Sequence, residues 1–448
     1  MIHFLSALAA AARRLLPRLD LSPQPLTPAR RRVLLASAMV AAAITLAGQP
    51  AGARSWDPGH WSASWGAAPA GPPPQASVQT FENQTLRLVI HASLGGNRVR
   101  IRLSNEMGAT PLRIGAARIG LRAQGSDVAP GTDRALTFGG RPGVTIPAGA
   151  PALSDPVELH LPPLASVAVS LYLPDAVQAT TLHGLALQTG YVSPAGDHTA
   201  SASLPVQRTL ATWPFLTALE VDGAGGAIVV LGDAITDGSR STPDTNRRWT
   251  DVLARRLQAG RGPATRLAVI NRGIGGNRLL SNDPANPLAG RSALARFDRD
   301  VLATSGVRHL VVLIGINDIG HSTGSGTGNN PGNDAGTAAP ALEDMVAGYR
   351  QLIARAHAKR IAVIGATLAP FEGAAYYSAE KEALRQAVNA WIRASGEFDA
   401  VLDVDRVLRD PAHHGRLLPA YDSGDHLHPN DRGYQALGDA VPLALPQR

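Results

Sequence analysis

Four short stretches of this chain combine small residues with side chains that can move protons or stabilise negative charge. In chain order they are Gly232-Asp233-Ala234-Ile235-Thr236-Asp237-Gly238, Gly273-Ile274-Gly275-Gly276-Asn277, Gly315-Ile316-Asn317-Asp318 and Asp425-His426-Leu427-His428-Pro429. The chemistry they suggest is acyl transfer, where a nucleophile needs a base within hydrogen-bond reach and the base needs an orienting group. His428 is the candidate base. Asp425, three residues earlier, can hold its other ring nitrogen and stabilise the imidazolium. Gly276 leaves its backbone N–H unobstructed and Asn317 offers a side-chain amide, so both can face the oxygen that turns negative in a tetrahedral intermediate. Singly, each stretch is ordinary, since Gly-x-Asn-Asp occurs in turns and Asp-x-x-His in solvated loops. Their order and their positions after apolar runs specify more. One member does not fit: Ala234 occupies the place where a reactive side chain would be most useful, and a methyl group does no chemistry. The nearest hydroxyls are poor substitutes, Thr236 because it should turn into a helix start and Ser239 because it lies further along.

The elements that must position these residues are legible as an α/β pattern. Strands are expected at Ile228–Leu231, Leu267–Asn271, His309–Leu313, Ile361–Ala366 and Ala400–Val404. Helices are expected at Trp249–Gln258, Ser292–Leu302, Ala341–Ala358 and Ala379–Ser395. Strands alternating with helices imply a parallel sheet covered on both faces, and such sheets place their sites beyond the carboxyl ends of the strands. Gly320–Pro340, rich in Gly, Ser, Thr, Asn and Pro, reads as a long mobile loop able to gate a cleft.

The texture before Gly226 is different. Thr85–Ser93 and Arg98–Ser104 alternate with period two and are joined by Leu94-Gly95-Gly96-Asn97, which predicts a hairpin. Leu112–Leu121, Val157–Leu161 and Val167–Leu173 are further strands, and the whole of 54–226 is expected to be a β-sandwich or jelly-roll-like domain. Trp56, Trp61 and Trp65 can either stack on a glycan or pack the chain start against the second domain, and packing is the preferred reading.

Residues 1–53 read as an export signal. Arg30-Arg31-Arg32 precedes the apolar run Val33–Ala47, and Ala51-Gly52-Ala53 provides a small-x-small cleavage site. Arg31-Arg32-Val33-Leu34-Leu35 is similar to the core of a twin-arginine signal, so the mature protein is expected to be secreted or periplasmic, without stable membrane insertion. This segment also holds six of the arginines and one acidic residue, which leaves 36 Lys+Arg against 34 Asp+Glu elsewhere. A net charge of +2 on that remainder is no signature of nucleic-acid binding. With no cysteine, the chain has no disulfide framework and no thiolate chemistry.

In order and spacing, G-D-A-I-T-D-G, G-I-G-G-N, G-I-N-D and D-H-L-H-P resemble the SGNH (GDSL-type) hydrolases, a family of esterases and acylhydrolases. The resemblance covers 227–448, and Arg296-Phe297-Asp298-Arg299-Asp300 with the preceding β region is similar to an exported bacterial subgroup. It implies a flavodoxin-like three-layer α/β/α fold with no metal or organic cofactor. It further implies Asp425 as orienter, His428 as base, and Gly276, Asn317 and the backbone N–H at Ala234 as oxyanion donors. Gly232, Asp233, Asp237 and Asp318 support the motifs. The departure is Ala234, where the family has serine. Either the nucleophile was deliberately replaced, or a natural homologue lost catalysis and kept binding; the unbroken remainder of the motif favours replacement or recent loss. The expected substrate is a short acyl ester, such as acetyl on a polysaccharide or an aryl ester. The alternative is a non-catalytic exported glycan- or ester-binding protein. A metal site on Asp425, His426 and His428 is disfavoured because no further ligand cluster is evident.

Overall fold

The computed structural model describes residues 60–223, 225–322 and 339–446, all within one compact unit, Gly59–Arg448. Residues 1–53, which the sequence reads as an export signal, Trp56 and most of the Gly320–Pro340 segment lie outside the described residues.

Five parallel strands form the sheet of the C-terminal half: Gly226–Gly232, Leu267–Gly273, Val307–Leu313, Ala362–Ala366 and Ala400–Leu402. In space, the second strand lies outside the first, and the third, fourth and fifth follow on the other side. This 2-1-3-4-5 order is the flavodoxin-like arrangement, whose switch point falls between the first and third strands. The first strand is apolar on both faces because both are covered. Ala227, Val229 and Leu231 join one core with the helices Ala293–Phe297, Leu342–His357 and Ala379–Ala394. Ile228 and Val230 join the opposite core with Trp249–Ala259 and Asp431–Ala440. The result is a three-layer α/β/α sandwich. Most element ends shift by one or two residues from the sequence reading, and two differ in the structure that follows. Ala400–Val404 stops at Leu402, because Asp403 accepts the Arg406 N–H and caps a new helix, Val404–Leu408. The helix expected through Leu302 is α-helical only over Ala293–Phe297, and Asp298–Leu302 is a π-helical turn.

The preceding region is a sandwich of two mainly antiparallel sheets, with five and six strands, around one apolar core. The Leu94–Asn97 hairpin does not form. Gln84–His91 pairs with Ser166–Leu173 and Gly190–Ala195 in one sheet, whereas Gly96–Ser104 pairs with Leu216–Asp222 and Val157–Leu161 in the other. The link crosses between sheets, held where the Ser93 N–H and hydroxyl both donate to the Ser64 carbonyl. Alternation reports that one face is buried, and both strands bury theirs in the same core from opposite sides. Leu112–Leu121 is likewise two strands, Leu112–Ile114 and Ala116–Leu121, in different sheets.

The β region packs tightly on the parallel sheet. A side chain at Gly66 would come within 2.9 Å of Ile270 Cγ2, and Arg272 Nη1 donates to the Ala67 carbonyl at 2.6 Å. Trp65 is buried edge-on against Trp213 with ring centroids 4.9 Å apart, and Trp61 lies under the Arg100 guanidinium. Both described tryptophans of the chain start thus make these contacts inside the β region, not with the second domain as the packing reading expects.

Candidate active site

The first strand ends at Gly232, where a side chain would strike Thr236 Oγ1 and the Leu313 carbonyl. Asp233 follows and caps the short helix Ala234–Asp237 by accepting the Ile235 N–H at 3.0 Å. Gly238 ends that helix in the left-handed region at φ 99°, with Arg248 packed against it. From Ile228 to Gly238 only Ala234 is partly exposed, so the fold presents this one position outward. Thr236 is fully buried and its hydroxyl has no hydrogen-bond partner among the described residues, so it cannot stand in at position 234.

The second stretch is set by its glycines and by Asn277. Gly276 is left-handed at φ 77°, and the Gly275 N–H donates to Asp237 Oδ2 at 3.2 Å. Asn277, buried, donates to the Ala289 and Arg291 carbonyls and accepts from Arg296 through Oδ1. Its carbonyl accepts one N–H of Asn317 Nδ2 at 3.0 Å, which aims the Asn317 amide and leaves the second N–H of that group for another acceptor. Asp318 turns inward and accepts the Leu279 and Leu280 N–H groups at 2.7 and 2.9 Å. Burial raises its pKa to about 6 against those hydrogen bonds. Burial, and then the Asp318 charge, raise the Asp233 pKa to about 7 against the Ile235 hydrogen bond and Arg296.

Beneath both strand ends lies Arg296, fully buried. It donates to the Gly232 carbonyl at 2.9 Å, the Arg272 carbonyl at 2.7 Å and Asp300 at 2.9 Å. Burial works to raise the Asp300 pKa, but Arg299, Arg296 and Arg272 outweigh it and hold the group well below the usual carboxylate range.

His428 Nδ1 lies 2.8 Å from Asp425 Oδ2, and Asp425 Oδ1 accepts the N–H groups of Leu427 and His428. Partial burial acts to raise the Asp425 pKa; the bonds from His428, its charge and the Leu427 N–H prevail and hold it well below its ordinary value. Two contacts bring this loop to the segment just after Ala234. Arg240 Nε donates to Asp425 Oδ2 at 3.0 Å, and the Tyr434 hydroxyl donates to the Ser239 carbonyl at 2.7 Å. His426 is about half exposed and pairs with a different carboxylate, Asp422, at 2.6 Å, so the two histidines of the stretch serve separate partners.

Sequence reasoning missed three features. Ile316, Phe371 and Ala374 form a small apolar cluster with Tyr376, Tyr377 and Leu427, immediately beside Asn317 and His428. The loop that supplies Phe371–Tyr377 has no periodicity to mark it. Arg248 and Arg278, which nothing in the sequence distinguishes from solvated arginines, are buried: Arg248 donates to the Asp237 carbonyl at 3.1 Å, and Arg278 lies 3.4 Å from Asp283. Arg240 and Arg247 are exposed but paired, with Asp425 and Asp431. Finally, His183 of the β region meets Asp237 at 2.9 Å in a sealed contact, which no local pattern could reveal.

Ala234, Gly276 and Asn317 thus sit beyond the carboxyl ends of the first, second and third strands, around the switch point, with Asp425 and His428 joined to the same edge. A search of protein families matches residues 230–436 to the GDSL-like lipase/acylhydrolase family. Residues 230–436 are a GDSL-like lipase/acylhydrolase domain. Similar solved structures include a catalytic mutant of an acetylxylan esterase from Geobacillus stearothermophilus, at 23% identity and TM-score 0.36, covering 49% of this chain and 93% of that one. An alpha/beta hydrolase enzyme from the metagenome of Lake Arreo, Spain, is also similar, at 23% identity and TM-score 0.36, over 49% of this chain and 94% of that one. A GDSL-like lipase from Bacteroides thetaiotaomicron has 19% identity and TM-score 0.32 over 48% and 84%. No curated protein matches the chain. Gly232-Asp233-Ala234 stands at the end of the first strand, within the matched residues.

Proposed function

We propose that this chain is an exported carboxylic-ester hydrolase scaffold of the serine type, which as written binds a short acyl ester and fails to cleave it. The observation that carries the reading is the Asp425–His428 pair, tied through Arg240 to the segment following Ala234. With a hydroxyl at 234, His428 would take its proton as it attacks the ester carbonyl. Asp425 would hold the ring by Nδ1 and stabilise the imidazolium, leaving Nε2 for the proton. The N–H groups at Ala234 and Gly276 and the remaining Asn317 N–H would stabilise the tetrahedral oxyanion. The ring would then protonate the departing alcohol, and water would release the acyl group by the reverse sequence. None of these steps can begin from a methyl group.

Loss of a triad nucleophile costs about six decades in turnover. The test is Ala234→Ser, assayed with p-nitrophenyl acetate and acetylated xylan. The expected result is a gain of about six decades in kcat over the unaltered chain. No activity on any short-chain ester would refute the hydrolase reading and favour a binding protein. Ordinary enzymatic rates from the unaltered chain would show that position 234 is wrongly assigned. The short acyl group and the polysaccharide are inferred from the export signal and from the polar Gly320–Pro340 segment; comparing acetyl, butyryl and octanoyl esters in Ala234→Ser tests the acyl part.

A further inference from the structure

The Ala234 helix is gripped from behind by the β region. The His183 ring is buried between two acceptors: Nδ1 faces the Ala68 carbonyl at 2.9 Å and Nε2 faces Asp237 Oδ1 at 2.9 Å. A neutral imidazole has one N–H, so filling both contacts with Asp237 ionised requires a proton on each nitrogen. The other Asp237 oxygen, Oδ2, accepts the Gly275 N–H, one residue before Gly276. A continuous chain therefore runs from the Ala68 carbonyl through the His183 ring and the Asp237 carboxylate to the loop that holds Gly276.

Neighbouring contacts brace the same point. Arg248 donates from Nε to the Asp237 carbonyl and from Nη2 to the Ala186 carbonyl of the β region, with its guanidinium 5.7 Å from the Trp213 ring centroid. The Trp213 ring also lies 5.6 Å from that of His183. Trp213 is also part of the β-sandwich core, but packing that core does not require the His183 ring to reach Asp237 or Arg248 to reach the Ala186 carbonyl.

We propose that His183 is a positioning residue for ester hydrolysis: through Asp237 it fixes the Gly275-Gly276 loop, so that the β region forms part of the oxyanion hole's support. This rests on the hydrolase reading of the site. The charged and titratable groups around the ring are Asp237 and Arg248, with His91 and Asp251 further along the same small cavity between the β region and the parallel sheet. Burial disfavours the imidazolium and Arg248 opposes it, while Asp237 and the Ala68 carbonyl favour it strongly enough to raise the His183 pKa. When pH rises through that pKa, the ring keeps its one N–H on Nε2, facing the stronger acceptor Asp237, and Nδ1 is left as an acceptor facing the Ala68 carbonyl. The ring then loses its tie to the β region, and the Asp237–Gly275 chain is held less firmly.

The test has two arms, both on the full chain. In the unaltered chain, the backbone amide signals of Gly275 and Gly276 should move with the same pH midpoint as the His183 ring, and His183→Leu should displace them more than His183→Gln, which retains a donor for Asp237. In the chain carrying Ala234→Ser, His183→Leu should lower kcat on p-nitrophenyl acetate by about 100-fold, the scale of a small misplacement of catalytic groups. KM should stay within about threefold, because the lost interaction concerns the transition state. His183→Gln should recover part of kcat and remove the alkaline limb that His183 imposes on the pH profile. Glycine amides that ignore both His183 variants and the His183 titration would overturn the proposal, as would an undiminished kcat in a folded His183→Leu. If His183→Leu does not fold, His183→Gln and the titration decide. If Ala234→Ser has no esterase activity, the hydrolase reading fails, and the amide arm still decides whether His183 positions the loop.

Discussion

His428 meets Asp425 at 2.8 Å and His183 meets Asp237 at 2.9 Å, but the two pairs stand in opposite surroundings. The Asp425 side chain is about a quarter exposed, its second oxygen is occupied by backbone N–H groups, and the pair lies at the sheet edge. The Asp237 pair is sealed, with both nitrogens of its histidine committed to acceptors. A ring with one committed nitrogen can pass a proton through the other, whereas a ring with both committed can only hold its position. On the proposed reading, the same two residue types serve chemistry in one place and architecture in the other. What decides is the partner of the second ring nitrogen, not the length of the first contact.

The largest effects should come from the outer pair. In a chain carrying Ala234→Ser, His428→Ala should cost about six decades in kcat and Asp425→Asn about four, measured by single-turnover ester hydrolysis. A loss of only tenfold for both would collapse the distinction between the pairs. The sealed contacts should instead show in stability. Asp300→Asn leaves Arg296 and Arg299 short of a buried partner and should cost about 3–5 kcal/mol in urea denaturation. A cost below about 1 kcal/mol would mean that the strand ends are not held from beneath.

The two pairs should also answer pH in opposite directions. The His183 pKa is raised on folding, so its contribution to stability is complete below the unfolded histidine value and is lost as pH rises through the folded one. The Asp425 pKa is lowered, so its contribution is present above the unfolded carboxylate value and is lost as pH falls toward the folded one. Denaturation midpoints of the parent, His183→Gln and Asp425→Asn between pH 3 and 9, a range of about six units around these reference values, should separate the two limbs. If His183→Gln leaves the alkaline limb unchanged, the sealed pair is not the group that titrates. The smallest effect should be that of Arg240→Ala. Arg240 is mostly exposed, so its removal should cost at most about 1 kcal/mol, and less in high salt.

Much of the candidate site is legible in the sequence because its residues sit in short contiguous motifs. Gly232–Gly238, Gly273–Asn277, Gly315–Asp318 and Asp425–Pro429 each follow from local chemistry, and the five parallel strands follow from apolar runs separated by amphipathic helices. The Leu94–Asn97 link is not legible locally, because a Gly-Gly between two alternating segments is as compatible with a crossing between sheets as with a hairpin. The buried arginines are hidden in the sequence for a related reason. Arg248, Arg278 and Arg296 look like any solvated arginine in sequence, and only carbonyls and carboxylates gathered from distant segments make their burial tolerable.

The sequence by itself determined which residue types the four motifs carry and that position 234 has no hydroxyl. Residue type is a local property, and an alanine at position 234 cannot be changed by folding. The tertiary structure decided how rigidly the rest of the site is held. Asn277 aims Asn317, Arg296 ties two strand ends together, and His183 reaches Asp237 from 54 positions away. Those are long-range contacts between groups that carry no pattern of their own. A buried donor or acceptor must find a partner, but nothing along the chain says which one.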